Sequence, residues 1–177
     1  MINEYTIIDI ETTGLKCEEG AEITEIAGIN VIDRDIITCY SSLCSINGEI
    51  NDFIENLTGI NNKMVSNAPS FKHVFNDMVN VLNIKENTNI VIHNAQFDYN
   101  FIKYWADKEA HTMEAYMWGR IKPICSLELA RTLIPGSRKL EDLKKKFGIK
   151  SKSHRALNDV FVTKKIYEKL IDMEGSK

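Results

Sequence analysis

The sequence has 177 residues, enough for one domain with a hydrophobic core and too few for two comfortable ones. Apolar residues make up 44% of it, the net charge is −3, and no apolar run approaches the length of a membrane span. This composition excludes a membrane-spanning protein and argues against non-specific duplex binding through a basic surface. Because the N-terminus also lacks a signal-peptide pattern, we expect a cytoplasmic protein with no membrane partner.

One domain is expected over residues 1–177, since no linker, internal repeat or low-complexity segment interrupts the chain. The last residues, 174–177, are predicted to fray. The cysteines show neither a C-x-x-C pair nor zinc-finger spacing, so we predict buried, reduced thiols in preference to disulfides or metal ligands. They are Cys17, Cys39, Cys44 and Cys125.

The first predicted element is an isoleucine-rich strand that begins at Tyr5 and ends at a Thr-Thr-Gly turn. Two acids, Asp9 and Glu11, lie inside this apolar run, and residues two apart on a strand project from the same face about 7 Å apart. Like charges on a buried face repel each other and lose hydration, and a divalent cation would remove that conflict. The alternative is an exposed edge strand that places both acids in water.

Two more strands are predicted at residues 23–32 and 36–43. A polar loop at residues 16–22 separates the first of them from the opening strand, and a turn at residues 33–35 joins the two. Three strands that follow one another without helices predict an antiparallel meander.

The middle of the chain alternates between helical and strand patterns. A short helix is predicted around residues 54–57, and an amphipathic helix is predicted over residues 71–82 after Pro-Ser. Residues 90–92 are typical of a central parallel strand. The segment His-Asn-Ala-Gln-Phe-Asp follows at residues 93–98, and apolar residues at helical spacing place Asp98 in the first turn of a helix. The remaining predictions are a strand at residues 121–124, a helix with Ser126 as N-cap that ends at Pro135, a helix over residues 140–147, and a last helix from near Arg155.

This order predicts a mixed sheet with helices packed on its faces. In such sheets, functional sites collect where strands end and helices begin. Asp9 and Glu11 lie near the end of the first strand, and Asp98 follows the fourth. The acidic residues are therefore expected at one edge of the sheet.

A further acidic motif lies near the C-terminus, where His154 precedes Asp159 by five residues. If the last helix starts at Arg155, Asp159 lies in its early turns and His154 lies just outside it. His154 could then reach a water molecule near a metal ion held by Asp159. The alternative is a surface or capping histidine.

A basic segment leads into this motif. Its cations are Lys139, Lys144, Lys145, Lys146, Lys150, Lys152 and Arg155. Such a run is either a solvated helix face or a local attraction for phosphate groups.

Three segments together resemble the DEDDh family of 3′→5′ exonucleases, which includes proofreading subunits and domains of replicative DNA polymerases. They are residues 9–15 (DIETTGL), 93–98 (HNAQFD) and 154–159 (HRALND). Their order and separations agree with the family, and residues 57–71 and 126–136 also resemble linking segments of its polymerase-associated members. A sister subfamily has tyrosine four residues before the last aspartate. Arg155 stands there in this chain, so the histidine subfamily is the match.

The resemblance implies an α/β fold of the ribonuclease H type. Its mixed five-stranded sheet would combine a three-stranded antiparallel meander with two parallel strands, with helices on both faces. The resemblance also implies a two-metal mechanism that uses Mg²⁺ or Mn²⁺ and releases nucleoside 5′-monophosphates. The implied metal ligands are Asp9, Glu11, Asp98 and Asp159, and the implied general base is His154.

The resemblance further implies where the terminal nucleotide binds. Thr12, Gly14 and Leu15 match the family's gripping positions, and Asn94 and Phe97 match residues that line the same cleft. Phe97 could equally be a core residue. Stacking on apolar and aromatic surfaces tolerates any base, as trimming without sequence preference requires.

The expected substrate is a single-stranded or frayed 3′ end. DNA is favoured, and an exoribonuclease is the alternative. The resemblance also admits a DNA polymerase as partner. The rival interpretations are a phosphodiesterase of small nucleotides and, from another class, a catalytically inactive nucleic-acid-binding module.

Overall fold

The computed structural model describes residues 3–151 and 154–176, and these contain a five-stranded mixed sheet in the order β3-β2-β1-β4-β5. The strands are β1 (Glu4–Thr12), β2 (Ile23–Ile32), β3 (Asp35–Leu43), β4 (Ile90–Ile92) and β5 (Ile124–Cys125). The first three form an antiparallel meander, while β4 runs parallel to β1 and β5 parallel to β4. The predicted sheet is confirmed.

Helices connect these strands and cover the sheet. They are α1 (Asp52–Thr58), α2 (Asn62–Val65), α3 (Phe71–Val81), α4 (Ala95–Trp105), α5 (Met113–Trp118), α6 (Ser126–Leu133), α7 (Leu140–Lys146) and α8 (Ala156–Gly175). A 3₁₀ turn at Cys17–Glu19 follows β1, and a π-helical turn at Ala106–Ala110 follows α4.

Short polar side chains determine where several helices begin. Asn51, Asn61, Ser70 and Thr112 each accept a hydrogen bond from the backbone amide three residues later, at the starts of α1, α2, α3 and α5. Each side chain satisfies an amide that has no partner inside its helix.

The alternation of β1 divides the core between the two faces of the sheet. Ile8 and Ile10 pack against α3 and α4 in the larger apolar cluster. Tyr5 and Ile7 face the opposite way and pack against α8 through Val160. Helices α6 and α7 then pack on the outer side of α8. Helices therefore lie on both faces, as predicted.

Two predicted boundaries are wrong at the second parallel strand. It occupies Ile124–Cys125 and not residues 121–124, because Pro123 has no amide to donate to the ladder. Ser126 is the first residue of α6 and not its N-cap, because its hydroxyl pairs with His93 at 2.9 Å.

The structure bears only partly on three further expectations, which concern the chain end, the cysteines and the basic segment. Helix α8 continues to Gly175 and the Ser176 hydroxyl donates to the Asp172 carbonyl, and fraying of the last residues stays a prediction. All four cysteines are free, as predicted, but only Cys17 and Cys44 are buried; Cys125 is partly buried and Cys39 is exposed on the edge strand β3. Lys152 of the basic segment and Lys177 of the predicted frayed end lie outside the described residues.

Within the described ranges, no helix is long and apolar enough to cross a membrane.

Candidate active site

The first two acids of the site come from β1. Asp9 and Glu11 lie on the face of the sheet that α8 covers, and both are partly buried. Asp9 lies opposite Ala27 of β2, Glu11 lies opposite Glu25, and the pairing register shifts immediately after Glu11. The strand therefore ends where its two carboxylates point toward the start of α8.

Asp98 comes from the first turn of α4. The chain leaves β4 through Asn94, whose φ of 63° lies in the left-handed region that asparagine tolerates, and this turn starts the helix at once. The buried Asp98 carboxylate accepts a hydrogen bond from the Ile10 amide at 3.2 Å. This contact holds the start of α4 directly beside Asp9.

Asp159 comes from the first turn of α8 and is buried. Its Oδ2 accepts a hydrogen bond from the backbone amide of His154 at 3.0 Å. Its Oδ1 is buried and has no hydrogen-bond partner among residues 3–151 and 154–176. A buried carboxylate oxygen without a partner is costly, so its position indicates a ligand.

These acids meet in one cleft. One oxygen each of Asp9, Glu11 and Asp159 lie within 4.8 Å of one another. Asp98 and His154 line the same cleft, whose volume is about 240 Å³. The five side chains that the sequence motifs singled out, separated by up to 150 positions, are therefore brought together.

Burial raises the pKa values of all four acids, and repulsion from the other acids adds to this for Asp9, Glu11 and Asp98. Burial first, and then the charge of Asp159, raises the pKa of Glu11 to about 8. Burial raises the pKa of Asp98 to about 7. The pKa of Asp9 rises well above its usual range through burial and the charge of Asp98, and burial also raises that of Asp159.

The donor set fits a hard divalent cation. Hard divalent ions take carboxylate oxygens as ligands, and a bound ion would relieve the repulsion between these clustered acids. The Oδ1 of Asp159 is buried without a hydrogen-bond partner in the described part of the chain, as expected for an atom that can accept a ligand. Asp9, Glu11 and Asp159 could hold an ion between them, and Asp98 borders the same space.

His154 lies at the end of the loop that precedes α8. Its φ of 61° is left-handed, and its amide is held by Asp159. The imidazole lines the cleft from a partly buried position. The prediction that His154 lies just outside the last helix is confirmed, because α8 begins at Ala156.

His93 is a buried residue of the cleft to which the sequence interpretation assigned no role, although it opens the 93–98 motif. Its Nε2–H donates to the Arg138 carbonyl at 3.1 Å, so its Nδ1 accepts from the Ser126 hydroxyl at 2.9 Å. Burial lowers the pKa of His93 to about 4. This neutral imidazole ties β4 to α6 and to the loop before α7.

The predicted substrate-contacting residues divide into two groups. Leu15, Asn94 and Phe97 line a second cleft of about 320 Å³, and Phe97 also lines the acidic one. Leu15 is 82% exposed, whereas Phe97 packs on Phe101 with ring centroids 4.8 Å apart and so serves core and cleft together. Thr12 and Gly14 are absent from both linings and instead shape the turn, where the Thr12 hydroxyl donates to the Gly14 carbonyl.

Helix α7 supplies residues that the sequence interpretation treated only as part of a basic segment. Leu140 and Glu141 line the acidic cleft. Lys144 is buried and pairs with Glu141 at 3.1 Å, so it is not a freely solvated cation. No motif marks these contacts, because they depend on how α7 packs against α8.

Comparison with known proteins assigns a family and several relatives. A family model described as Exonuclease matches residues 6–167. The chain is 33% identical over 171 residues to DNA polymerase III PolC-type of Thermotoga petrophila, covering 96% of this chain and 12% of that protein. It is 31% identical to the 3′-5′ exonuclease DinG of Bacillus subtilis, covering 95% of this chain and 18% of that protein. It is 30% identical to DNA polymerase III subunit epsilon of Aquifex aeolicus, covering 95% of this chain and 80% of that protein.

Solved structures of exonucleases share the fold. Exonuclease X in complex with 5′ overhanging duplex DNA aligns with a TM-score of 0.74 at 26% identity, over 97% of this chain and 93% of that one. Exonuclease I of E. coli in complex with a dT13 oligonucleotide aligns with a TM-score of 0.83 at 16% identity, over 99% of this chain and 42% of that one. The expectation of a ribonuclease H-like α/β fold is confirmed. The chain spans less than a fifth of the PolC-type and DinG relatives.

Proposed function

This chain belongs to the exonuclease family, and on that premise we propose that it is a metal-dependent 3′→5′ exonuclease that releases nucleoside 5′-monophosphates from single-stranded or frayed 3′ ends. The observation that carries the proposal is the convergence of Asp9, Glu11, Asp98, Asp159 and His154 on one cleft. The relative named 3′-5′ exonuclease DinG supports the direction, and solved exonuclease structures support the reaction.

The cation site is proposed at the acidic cluster. Asp9, Glu11 and Asp159 would be ligands, with Asp98 contributing from the α4 side. The chemistry that two Mg²⁺ or Mn²⁺ ions supply in such a site is stabilisation of the attacking and leaving oxygens of a phosphodiester. The raised pKa values of these acids and the unpartnered Asp159 oxygen support the assignment.

His154 is proposed as the general base. Its imidazole lines the cleft beside Asp159, where it can take a proton from a water molecule that attacks phosphorus. Histidine is the side chain that most often serves as a general base, and such a base typically contributes about 10²–10⁴-fold in rate.

The terminal nucleotide is proposed to bind beside the acidic cleft, in the cleft that Leu15, Asn94 and Phe97 line. Leu15 is exposed and apolar, and Phe97 presents an aromatic surface to both clefts. Stacking on such surfaces does not distinguish bases. Thr12 and Gly14 would act through the turn that places Leu15.

DNA is the favoured substrate, and RNA is the alternative. The DNA complexes of Exonuclease X and Exonuclease I and the relatives from DNA polymerase III support DNA. The epsilon relative, 80% of which this chain covers, also supports a DNA polymerase as partner. A catalytically inactive binding module is disfavoured, because the cleft retains all four acids and the histidine.

The deciding experiment uses matched DNA and RNA oligonucleotides labelled at the 3′ or 5′ end, with paired and mispaired 3′ termini. In Mg²⁺ or Mn²⁺ we expect nucleoside 5′-monophosphates to be released stepwise from the 3′ end, faster from DNA and from mispaired ends, with no release in EDTA. Internal cleavage, release from the 5′ end or full activity in EDTA would refute the proposal. Cleavage of mononucleotide esters in preference to oligonucleotides would point to a small-nucleotide phosphodiesterase.

A further inference from the structure

An ion pair between the buried Glu25 and the partly exposed Arg155 joins β2 to the start of α8. Glu25 lies in β2 directly opposite Glu11 and is 2% exposed. Its carboxylate accepts hydrogen bonds from Arg155 Nε at 3.0 Å, from Arg155 Nη2 at 2.7 Å and from the Ala156 amide at 2.9 Å. Because these donors occupy both oxygens, Glu25 is an anchor for α8 although it neighbours the acidic cluster.

These contacts reach the segment that carries His154. Arg155 is the N-cap residue of α8, yet its own side chain makes no capping bond, and Glu25 supplies the acceptor from another element. On the other side, the His154 amide is bound by Asp159. The three residues from His154 to Ala156 are therefore held between Glu25 and Asp159.

Apolar packing alone does not define this alignment. Val160 packs on the sheet through apolar contacts that have no preferred direction. The directional contacts that Tyr167 and Glu168 make with Tyr5 lie about three turns further along α8. A two-bond pair between a guanidinium and a carboxylate is directional and strong. Packing thus places the helix, and the Glu25–Arg155 pair sets the position of its first turn.

We propose that Glu25 is a positioning residue that acts through Arg155 and the Ala156 amide to hold His154 and Asp159 in place against the acids of β1. This assignment rests on the proposed exonuclease function and deepens it. It adds Glu25 and Arg155 to the residues on which turnover depends, without placing either in contact with substrate.

The chain offers a matched control. Arg34, in the turn between β2 and β3, makes a two-bond pair with Asp172 near the other end of α8. Both side chains of that pair are about half exposed, so it joins similar elements without a role at the cleft. Asp172→Asn removes a comparable ion pair and is expected to leave turnover within about 2-fold of wild type.

The kinetic test compares Glu25→Gln, Arg155→Met and the double variant with Asp172→Asn on a 3′-labelled DNA oligonucleotide in Mg²⁺. We expect each single variant to lower kcat by about 10- to 100-fold, as loss of a supporting partner typically does, with KM changed less than about 3-fold. The double variant should lose no more than the worse single one, because the two residues act as a unit. Arg155→Lys keeps the positive charge but cannot bind both carboxylate oxygens of Glu25 through two guanidinium nitrogens. Its kcat should therefore lie between those of wild type and Arg155→Met.

Two readouts separate positioning from general stability. In a His154→Ala background, Glu25→Gln should lower kcat by less than it does in wild type, because the part of its effect that acts through His154 is already lost; a full additional loss would overturn the proposal. In the metal-free protein, hydrogen exchange at the Ala156 amide should be slow in wild type and Asp172→Asn but faster in Glu25→Gln; unchanged exchange would also overturn it.

Different results contradict the proposed exonuclease function and the positioning role of Glu25. A wild-type protein that releases no nucleotide contradicts the proposed function, whatever the amide exchange shows. An active wild-type protein whose Glu25→Gln and Arg155→Met variants are equally active contradicts only the positioning role. Since Arg155 is 41% exposed, Arg155→Lys provides the same test if Glu25→Gln does not fold.

Discussion

His154 is placed by its backbone as much as by its side chain. Its amide is bonded to Asp159 and its φ is positive, a conformation that asparagine accepts better than alanine. We therefore predict that both His154→Asn and His154→Ala keep Mn²⁺ binding and lower kcat by about 10²–10⁴-fold, because they remove only the proposed base. Single-turnover rates on a labelled oligonucleotide and calorimetric Mn²⁺ titration check this. Full activity in both variants would remove His154 from the mechanism.

The negative charge of Asp159 is costly to bury, because its Oδ1 has no hydrogen-bond partner within the described residues and burial raises the pKa of its carboxyl group. Asp159→Asn keeps an oxygen for the His154 amide and removes one charge from the cluster. We predict that this variant raises the Tm of the metal-free protein at pH 8.5 by about 2–4 °C, the effect of about 1 kcal/mol in a chain of this size. The added stability that Mn²⁺ gives to wild type should be lost. Calorimetry in EDTA and in Mn²⁺ measures both, and a lower Tm in EDTA would contradict the argument.

At the scale of elements, the sequence predicts features that follow a repeating pattern along the chain, and it misses contacts that arise when distant elements pack together. The alternation of β1 correctly places Asp9 and Glu11 on one face, because period-2 burial is a local property. Ser126 is mistaken for an N-cap because its hydroxyl is engaged by His93, a partner 33 positions away. The second parallel strand is misplaced for a related reason: two residues of strand leave no periodicity to detect.

The same His93 contact supports a prediction about three elements, since it ties β4 to α6 and to the loop before α7. The pKa of His93 is lowered to about 4 in the folded protein, against about 6.5 in an unfolded chain. The folded state therefore binds fewer protons, so the stability that neutral His93 contributes is complete above pH 6.5 and is lost as the pH falls toward 4. We predict that the difference in unfolding free energy between wild type and His93→Gln shrinks across that window, by up to about 1.4 kcal/mol per pH unit. Urea titrations at pH 4.5, 5.5 and 7 test this, and a constant difference would contradict it.

At the scale of the whole molecule, folding gathers acids that the motifs identify but cannot position. The motifs suffice to predict that Asp9, Asp98 and Asp159 belong together, because each lies at a junction between elements. They do not predict Glu25 or Glu141, since Glu25 reaches the site only through the pairing register of β1 and β2, and Glu141 only through the packing of α7. Such supporting residues carry no spacing signal of their own.

The concentration of acids makes the stability of the whole protein depend on pH and on metal. The folded-state pKa is about 8 for Glu11 and about 7 for Asp98, and those of Asp9 and Asp159 are also raised, against values near 4 in an unfolded chain. The folded protein therefore binds more protons than the unfolded chain, and stability is lost as the pH rises from about 4 through 8. His93 acts in the opposite direction but only below pH 6.5, so the acids dominate above it.

We predict that the metal-free protein has a lower Tm at pH 8.5 than at pH 6.5, and that Mn²⁺ raises the Tm more at pH 8.5, because ions replace protons on the carboxylates. Scanning calorimetry in EDTA and in Mn²⁺ at both pH values measures the effect. Asp172→Asn, remote from the cluster, should show the same pattern as wild type, whereas Asp9→Asn should flatten it. A Tm in EDTA that does not fall between pH 6.5 and 8.5, or a gain with Mn²⁺ that is equal at both, would show that folding does not force these acids together, and the cation site would lose its physical basis.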